Sequence, residues 1–179
     1  HPAIARLYES GVVESAGGAT PYLAMEFVDG QALQAWAATS PALQARVELL
    51  EALCRAVHFA HTRGVIHRDL KPSNILVDGA DQPHIIDFGI ASALDRSDLT
   101  RMTMVGSVLG TLPYMSPEQL DGSSRVDPRW DVYALGVIAY ELLGGSLPHP
   151  GLADATSVVA AMKIVATRTP QPASCTTRR

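Results

Sequence analysis

The chain has 179 residues, 14 basic and 18 acidic, for a formal net charge of −4, and 47% of it is hydrophobic. That composition fits one globular domain, or two at most, and excludes a disordered chain. Only Lys71 and Lys163 are lysines, and so mildly acidic a chain is a poor candidate for wrapping nucleic acid or lying on an anionic membrane.

In chain order, the pattern first predicts a strand hairpin. Ile4 to Glu9 and Val12 to Glu14 mix apolar and polar positions, Gly17-Gly18 marks a turn, and Tyr22 to Val28 resumes an extended run that Asp29-Gly30 ends. A short helical piece follows over Ala32 to Ala38. The next helix takes Ser40 as N-cap, Pro41 at its first position and Gly64 as its stop. Leu43, Val47, Leu50, Cys54, Val57 and His61 recur at spacings of four and three, predicting one buried face with Cys54 as inert packing. Ile75 to Val77 and His84 to Ile86 flank the turn Asp78-Gly79-Ala80-Asp81 and read as a second hairpin. From Asp87 to Glu118 there is little periodicity. Asp127 and Pro128 then open a helix reaching Leu143, apolar all round from Val132 and expected to be fully buried, with Gly144-Gly145 stopping it. The apolar run Val132 to Tyr140 is far short of the ~20 residues a membrane helix needs. A last helix is expected over Thr156 to Thr167, before a polar tail.

The sequence opens on His1 without a charged and apolar leader, so no secretory signal is expected. Cys54 and Cys175 make no disulfide framework, which points to a reducing, cytoplasmic setting. His58, His61 and His67 lack the carboxylate and cysteine companions of a metal centre, so helix-face or core roles are expected for them.

The chemistry concentrates in two short loops. His67-Arg68-Asp69-Leu70-Lys71-Pro72-Ser73-Asn74 precedes the second hairpin, and Asp87-Phe88-Gly89 follows it. Short apolar strands lie between, so Asp69, Asn74 and Asp87 can converge at one end of the hairpin. Two carboxylates and an amide oxygen suit Mg²⁺, which takes few protein ligands and completes its shell with phosphate and water. Lys71 adds a point charge suited to a transferring phosphoryl group.

These two motifs resemble those of the eukaryotic-type protein kinases, especially the bacterial members. Gly110-Thr111-Leu112-Pro113-Tyr114-Met115 before Ser116-Pro117-Glu118, and Asp131-Val132-Tyr133-Ala134-Leu135-Gly136, extend the resemblance over nearly the whole chain. It implies an α+β, kinase-like fold with residues 1–30 as a small-lobe remnant and hinge, 31–168 as the large lobe and 169–179 as a tail. It also implies ATP, Mg²⁺ and a protein substrate with a Ser or Thr acceptor. In that frame Asp69 orients the acceptor hydroxyl, Lys71 meets the γ-phosphate, and Asn74 and Asp87 hold the metal. Lys71 with Thr111 resembles the serine/threonine branch. Glu26 and Val28 would offer backbone groups to adenine, Met25 would gate the pocket and Leu76 would lie beneath the ring. His67, Phe88, Gly89 and Asp131 would join loop, metal motif and buried helix. Arg68 would receive a phosphate carried by Thr100, Thr103 or Ser107, although Ser92 stands where the family often has a further cation.

Other parts of the family pattern are absent from these residues. No G-x-G-x-x-G-x-V run occurs, and neither lysine lies on an early strand, where the ATP-anchoring lysine is expected. The family arginine that pairs with the residue matching Glu118 is missing too, and a buried unpaired carboxylate would cost about 3–5 kcal/mol. The reading therefore expects a piece of a longer kinase, short at both ends, and inactive by itself. A non-catalytic kinase-like binding module is the competing class, disfavoured by the intact Asp69, Lys71, Asn74 and Asp87. A small-molecule phosphotransferase would not need the Gly110–Glu118 segment. The family usually places a smaller residue at Trp130, and the sequence does not explain the tryptophan.

Overall fold

Two helices joined to a small sheet by one polar loop make up the centre of the molecule. The computed structural model describes residues 1–15, 18–88, 110–122, 125–149, 151–152, 154–155, 157–170 and 172. Strands β1 (Leu7–Ser15) and β2 (Gly18–Met25) form the first hairpin, pairing Leu7 with Met25 at one end and Ser15 with Gly18 at the other. β2 stops at Met25, three residues before the expected end, although the Glu26 N–H still donates to Arg6 O at 2.8 Å. Strands β3 (Gly30–Ala32), β4 (Ile75–Asp78) and β5 (Pro83–Ile85) form a separate antiparallel sheet in that order. The β4–β5 hairpin matches the sequence reading, and the addition of β3 at its edge does not appear in it.

Residues 1–6 lie along β5. The Ile85 N–H donates to Ala3 O at 2.9 Å and the Ala5 N–H to Ile85 O at 3.0 Å, giving a parallel bridge at Ile4. The first hairpin thereby hangs from the strand that leads to Asp87.

Helix α1 (Leu33–Ala38) buries Leu33 and Trp36, whose indole donates to Asp81 Oδ1 at 2.6 Å. Helix α2 runs from Leu43 to His61. It begins later than expected because Ser40 adopts a left-handed φ of 59° and its side chain does not cap the helix, Ala42 holding the N-cap position without a side-chain bond. Its end is as expected, at Gly64 with φ 74°, where a glycine carries no Cβ penalty. The buried face is Leu49, Leu53, Ala56, Val57 and Ala60. Leu43, Val47 and Cys54, expected inside, face solvent. Periodicity allowed two adjacent apolar stripes, and the inward one carries Ala56 and Ala60 beside Leu49, Leu53 and Val57.

Helix α3 (Pro117–Leu120) follows a 3-10 turn at Leu112–Tyr114. Helix α4 (Arg129–Gly144) starts beside Asp127, whose Oδ1 accepts the Arg129 N–H at 2.8 Å, and stops at the left-handed Gly145. It buries Trp130, Asp131, Ala134, Leu135, Val137, Ile138 and Leu142, but Val132 is 58% exposed, so the helix is not enclosed all round. Helix α5 (Val158–Thr167) is capped by Ser157. The main core joins α2, α4, β4 and β5 through Leu53, Val57, Ile75, Ile85 and Ile138, and a smaller one sets α5 beneath Leu112 and Leu120. Among the described residues no helix is long and apolar enough to cross a membrane.

The loop between α2 and β4 is fixed from α4. Asp131, 1% exposed, accepts the His67 N–H at 2.8 Å, the Arg68 N–H at 2.9 Å and a bond from His61 Nε2 at 2.7 Å. The buried His67 ring stands edge-on to Phe88 with centroids 4.8 Å apart. Its Nε2 lies 3.0 Å from Ile86 O and its Nδ1 accepts the Asp69 N–H at 3.3 Å. Only the neutral ring protonated on Nε2 satisfies both contacts, and burial pulls the His67 pKa below its ordinary 6.5.

Two outcomes follow from this packing. Leu53→Ala should cost about 2–5 kcal/mol in urea unfolding, whereas Val47→Ala should stay within about 0.5 kcal/mol; equal losses would contradict the burial described. Because folding depresses the His67 pKa, its contribution is intact above 6.5 and is lost as pH falls through the folded value. Stability should therefore drop more between about pH 7 and about pH 5.5 in the native chain than in His67→Leu, measured by the same unfolding assay.

Candidate active site

Asp69 follows Arg68, whose φ of 71° lies in the left-handed region. That conformation costs an arginine about 1–2 kcal/mol, and the two N–H bonds to Asp131 hold it. The Arg68 carbonyl is held as well, accepting from Gln119 Nε2 at 2.8 Å. The loop then turns at Pro72–Asn74 and enters β4.

Lys71 reaches back across this turn. Its Nζ donates to Asp69 Oδ2 at 2.9 Å and to Thr111 Oγ1 at 2.7 Å, with the lysine side chain 16% and the aspartate 44% exposed. An ammonium has three donors, so one remains for another acceptor. The structure thus brings together Asp69, Lys71 and Thr111 from two segments 40 residues apart.

Asn74 is buried, and its Nδ2 donates to Asp69 O at 2.9 Å. With the nitrogen so committed, Oδ1 is the end that can accept or ligate. The Ile86 N–H donates to Asn74 O at 3.0 Å, which sets Asn74 beside the backbone entering Asp87. Asp87 has a left-handed φ of 61° and, with Phe88, Met25, Leu7 and Ala5, lines a small open cleft under the first hairpin. Among the described residues no group of three or more His, Cys, Asp or Glu side chains makes a protein-only metal cage. The amide oxygen and carboxylate present fit Mg²⁺, which retains water and phosphate oxygens.

Of the expected adenine contacts, Met25 lines this cleft, whereas Glu26, Val28 and Leu76 are not among its lining residues. The Glu26 carboxylate accepts the Arg6 N–H at 3.1 Å, a side-chain contact separate from the backbone groups expected to face adenine. Leu76 is half-buried within β4, opposite Ala32 and His84. Glu118 is exposed, so the penalty of an unpaired buried carboxylate does not arise. Arg68 Nε is buried without a hydrogen-bond partner. Gly89, Thr100, Thr103 and Ser107 lie outside the described residues.

Sequence reasoning missed two contacts that fix the segment after Gly110. Tyr114 Oη donates to Glu141 Oε2 at 2.7 Å, and burial together with that carboxylate pushes the phenol pKa well up. Gln119 closes a capping box with Ser116: its Oε1 accepts the Ser116 N–H at 3.0 Å and its N–H donates to Ser116 Oγ at 3.3 Å. The signal for Gln119 was available, since S-x-x-Q with proline at the first helical position is a helix-start signature.

The protein kinase domain family matches residues 1–177 of this chain. The chain is 42% identical over 153 residues to the serine/threonine-protein kinase PknB of Mycobacterium leprae, covering 84% of this chain and 24% of that protein. It is 46% identical over 144 residues to the serine/threonine-protein kinase Pkn1 of Myxococcus xanthus, covering 78% and 20% respectively. For the serine/threonine-protein kinase PknA of Mycobacterium tuberculosis the identity is 41% over 154 residues, covering 84% and 35%. The chain thus spans about a quarter of the length of the PknB relative. By the extent of these matches, and with the catalytic-loop and metal motifs in their expected order, the chain belongs to the protein kinase domain family.

Proposed function

We propose that this chain carries the large-lobe chemistry of a serine/threonine protein kinase, moving the γ-phosphate of ATP to a protein hydroxyl in the cytoplasm. The observation that carries the reading is the Lys71 ammonium shared between Asp69 and Thr111. A base-positioned carboxylate, a cation for phosphate charge and a residue of the peptide-receiving segment thereby meet at one point. In this reading residues 1–30 are small-lobe hairpin and hinge, 31–168 the large lobe and 169–179 a tail.

Asp69 orients the acceptor hydroxyl and takes its proton as that oxygen bonds to the γ-phosphorus and the bond from phosphorus to the β,γ-bridging oxygen breaks, releasing ADP. Lys71 stabilises charge on the transferring oxygens while its other bonds hold Asp69 and Thr111 in register. Asn74 Oδ1 and the Asp87 carboxylate would hold Mg²⁺, which neutralises phosphate charge when bound. His67 and Phe88 fix the distance between loop and metal motif through their ring contact. Met25 closes the rear of the cleft, and Glu26, Val28 and Leu76 border the adenine once the nucleotide is seated. Arg68, with its unpartnered Nε, receives a phosphate from Thr100, Thr103 or Ser107.

In the protein made from its full natural reading frame, Asp69→Asn should lower phosphate transfer to a Ser/Thr protein substrate about 10²–10⁴-fold while ATP affinity stays within about threefold. Retention of the native rate would sink the assignment. The 179 residues alone contain no glycine-rich loop and no early-strand lysine. They should bind ATP weakly and transfer phosphate no faster than their own Asp69→Asn control, as radiolabel transfer from ATP would measure.

A further inference from the structure

We infer that Gln119 is a positioning residue for the proposed phosphoryl transfer, locking the peptide unit that presents Asp69 to the segment that receives the substrate. The inference rests on the kinase reading above and adds a residue to it.

The peptide between Arg68 and Asp69 has two polar groups, and both are held. Its carbonyl accepts from Gln119 Nε2 at 2.8 Å, and its N–H donates to His67 Nδ1 at 3.3 Å. The preceding two N–H groups end on Asp131. Rotation of that peptide plane would redirect the Cα–Cβ bond of Asp69, so the group holding its oxygen helps set where the carboxylate points. Arg68 is also the loop residue in a left-handed conformation, the place where the plane is least self-supporting. Of the three restraining side chains, His67 belongs to the loop and Asp131 to α4. Gln119 alone comes from the Gly110–Gly122 segment.

Among the described residues, that segment consequently hydrogen-bonds to the catalytic loop through Thr111 on Lys71 Nζ and Gln119 on Arg68 O. Between them the chain passes through Tyr114, anchored on Glu141. A shift of the segment is therefore reported directly to Asp69 from both sides.

Gln119 has separable duties. Its Oε1 serves the capping box and its Nε2 serves the clamp. Gln119→Glu keeps an acceptor suited to the box and removes the donor to Arg68 O. Ser116→Ala weakens the box and leaves the clamp. The test uses the protein from its full natural reading frame, with Asp69→Asn as reference. Gln119→Glu should lower kcat for protein phosphorylation about tenfold or more, leave the KM for ATP within about twofold, and shift Tm by less than about 2 °C. It should also speed hydrogen exchange at the Asp69 amide. Ser116→Ala should lower Tm and leave exchange at the Asp69 amide of the folded molecules unaltered.

Native kcat and native Asp69 exchange in Gln119→Glu, alongside an inactive Asp69→Asn, would overturn the clamp and leave the kinase reading standing. Losses in both Gln119→Glu and Ser116→Ala that merely follow the unfolded fraction would overturn it as well. An active Asp69→Asn protein would instead strike the parent reading, and the inference with it.

Discussion

Asp131 is a carboxylate on a largely apolar helix, almost wholly removed from water. Burial of a charge is tolerated only where its oxygens are fully used. Here the partners are the N–H groups of His67 and Arg68 and the ring of His61. The dependence is mutual. Without Asp131 two backbone donors would be orphaned inside the protein, and with it the loop takes a conformation that an arginine would not choose. The position of Asp69 is a downstream effect of that exchange, since its peptide starts where the Asp131 bonds end.

A second layer of constraint comes from the chain after Gly110. Thr111, Tyr114 and Gln119 each bond to a different partner: Lys71, Glu141 and the Arg68 carbonyl. Leu112 and Leu120 fill the small core beneath them, and α5 closes it from below. This segment is therefore built as a packed unit, with its polar side chains directed at the loop and at α4. The apolar core sets its height and the hydrogen bonds set its register.

Much of the fold was legible because certain residues admit few conformations. Gly64 and Gly145 marked helix ends, the Asp78–Asp81 turn marked a hairpin, and the catalytic-loop and metal motifs stood in order. The failures have physical causes. Ser40 is a good N-cap by type, but its left-handed backbone places it outside the helix. The outward turn of Leu43, Val47 and Cys54 reflects a choice between two stripes of similar spacing, of which the one bearing Leu49, Leu53, Ala56, Val57 and Ala60 faces the core. β3 is three residues long and carries no pattern of its own, so only its pairing with β4 reveals it. In the site, Asp69, Lys71 and Thr111 were each named from the sequence, yet their meeting across 40 residues is a tertiary fact. Trp130 is buried with its indole N–H unpartnered, and nothing in the structure explains why a tryptophan stands there.

The seating of residues 1–6 on β5 has a mechanical side. The first hairpin is a lever whose fulcrum is the pair of bonds between Ile85 and the Ala3–Ala5 backbone. Ile85 lies two residues before Asp87, and Met25 at the base of the lever faces the same cleft. The hairpin is therefore attached to the same strand that runs on to Asp87, with only Ile86 between the attachment and the carboxylate-bearing residue. The hairpin and the Asp87 backbone thus share one support, the Ile85 peptide.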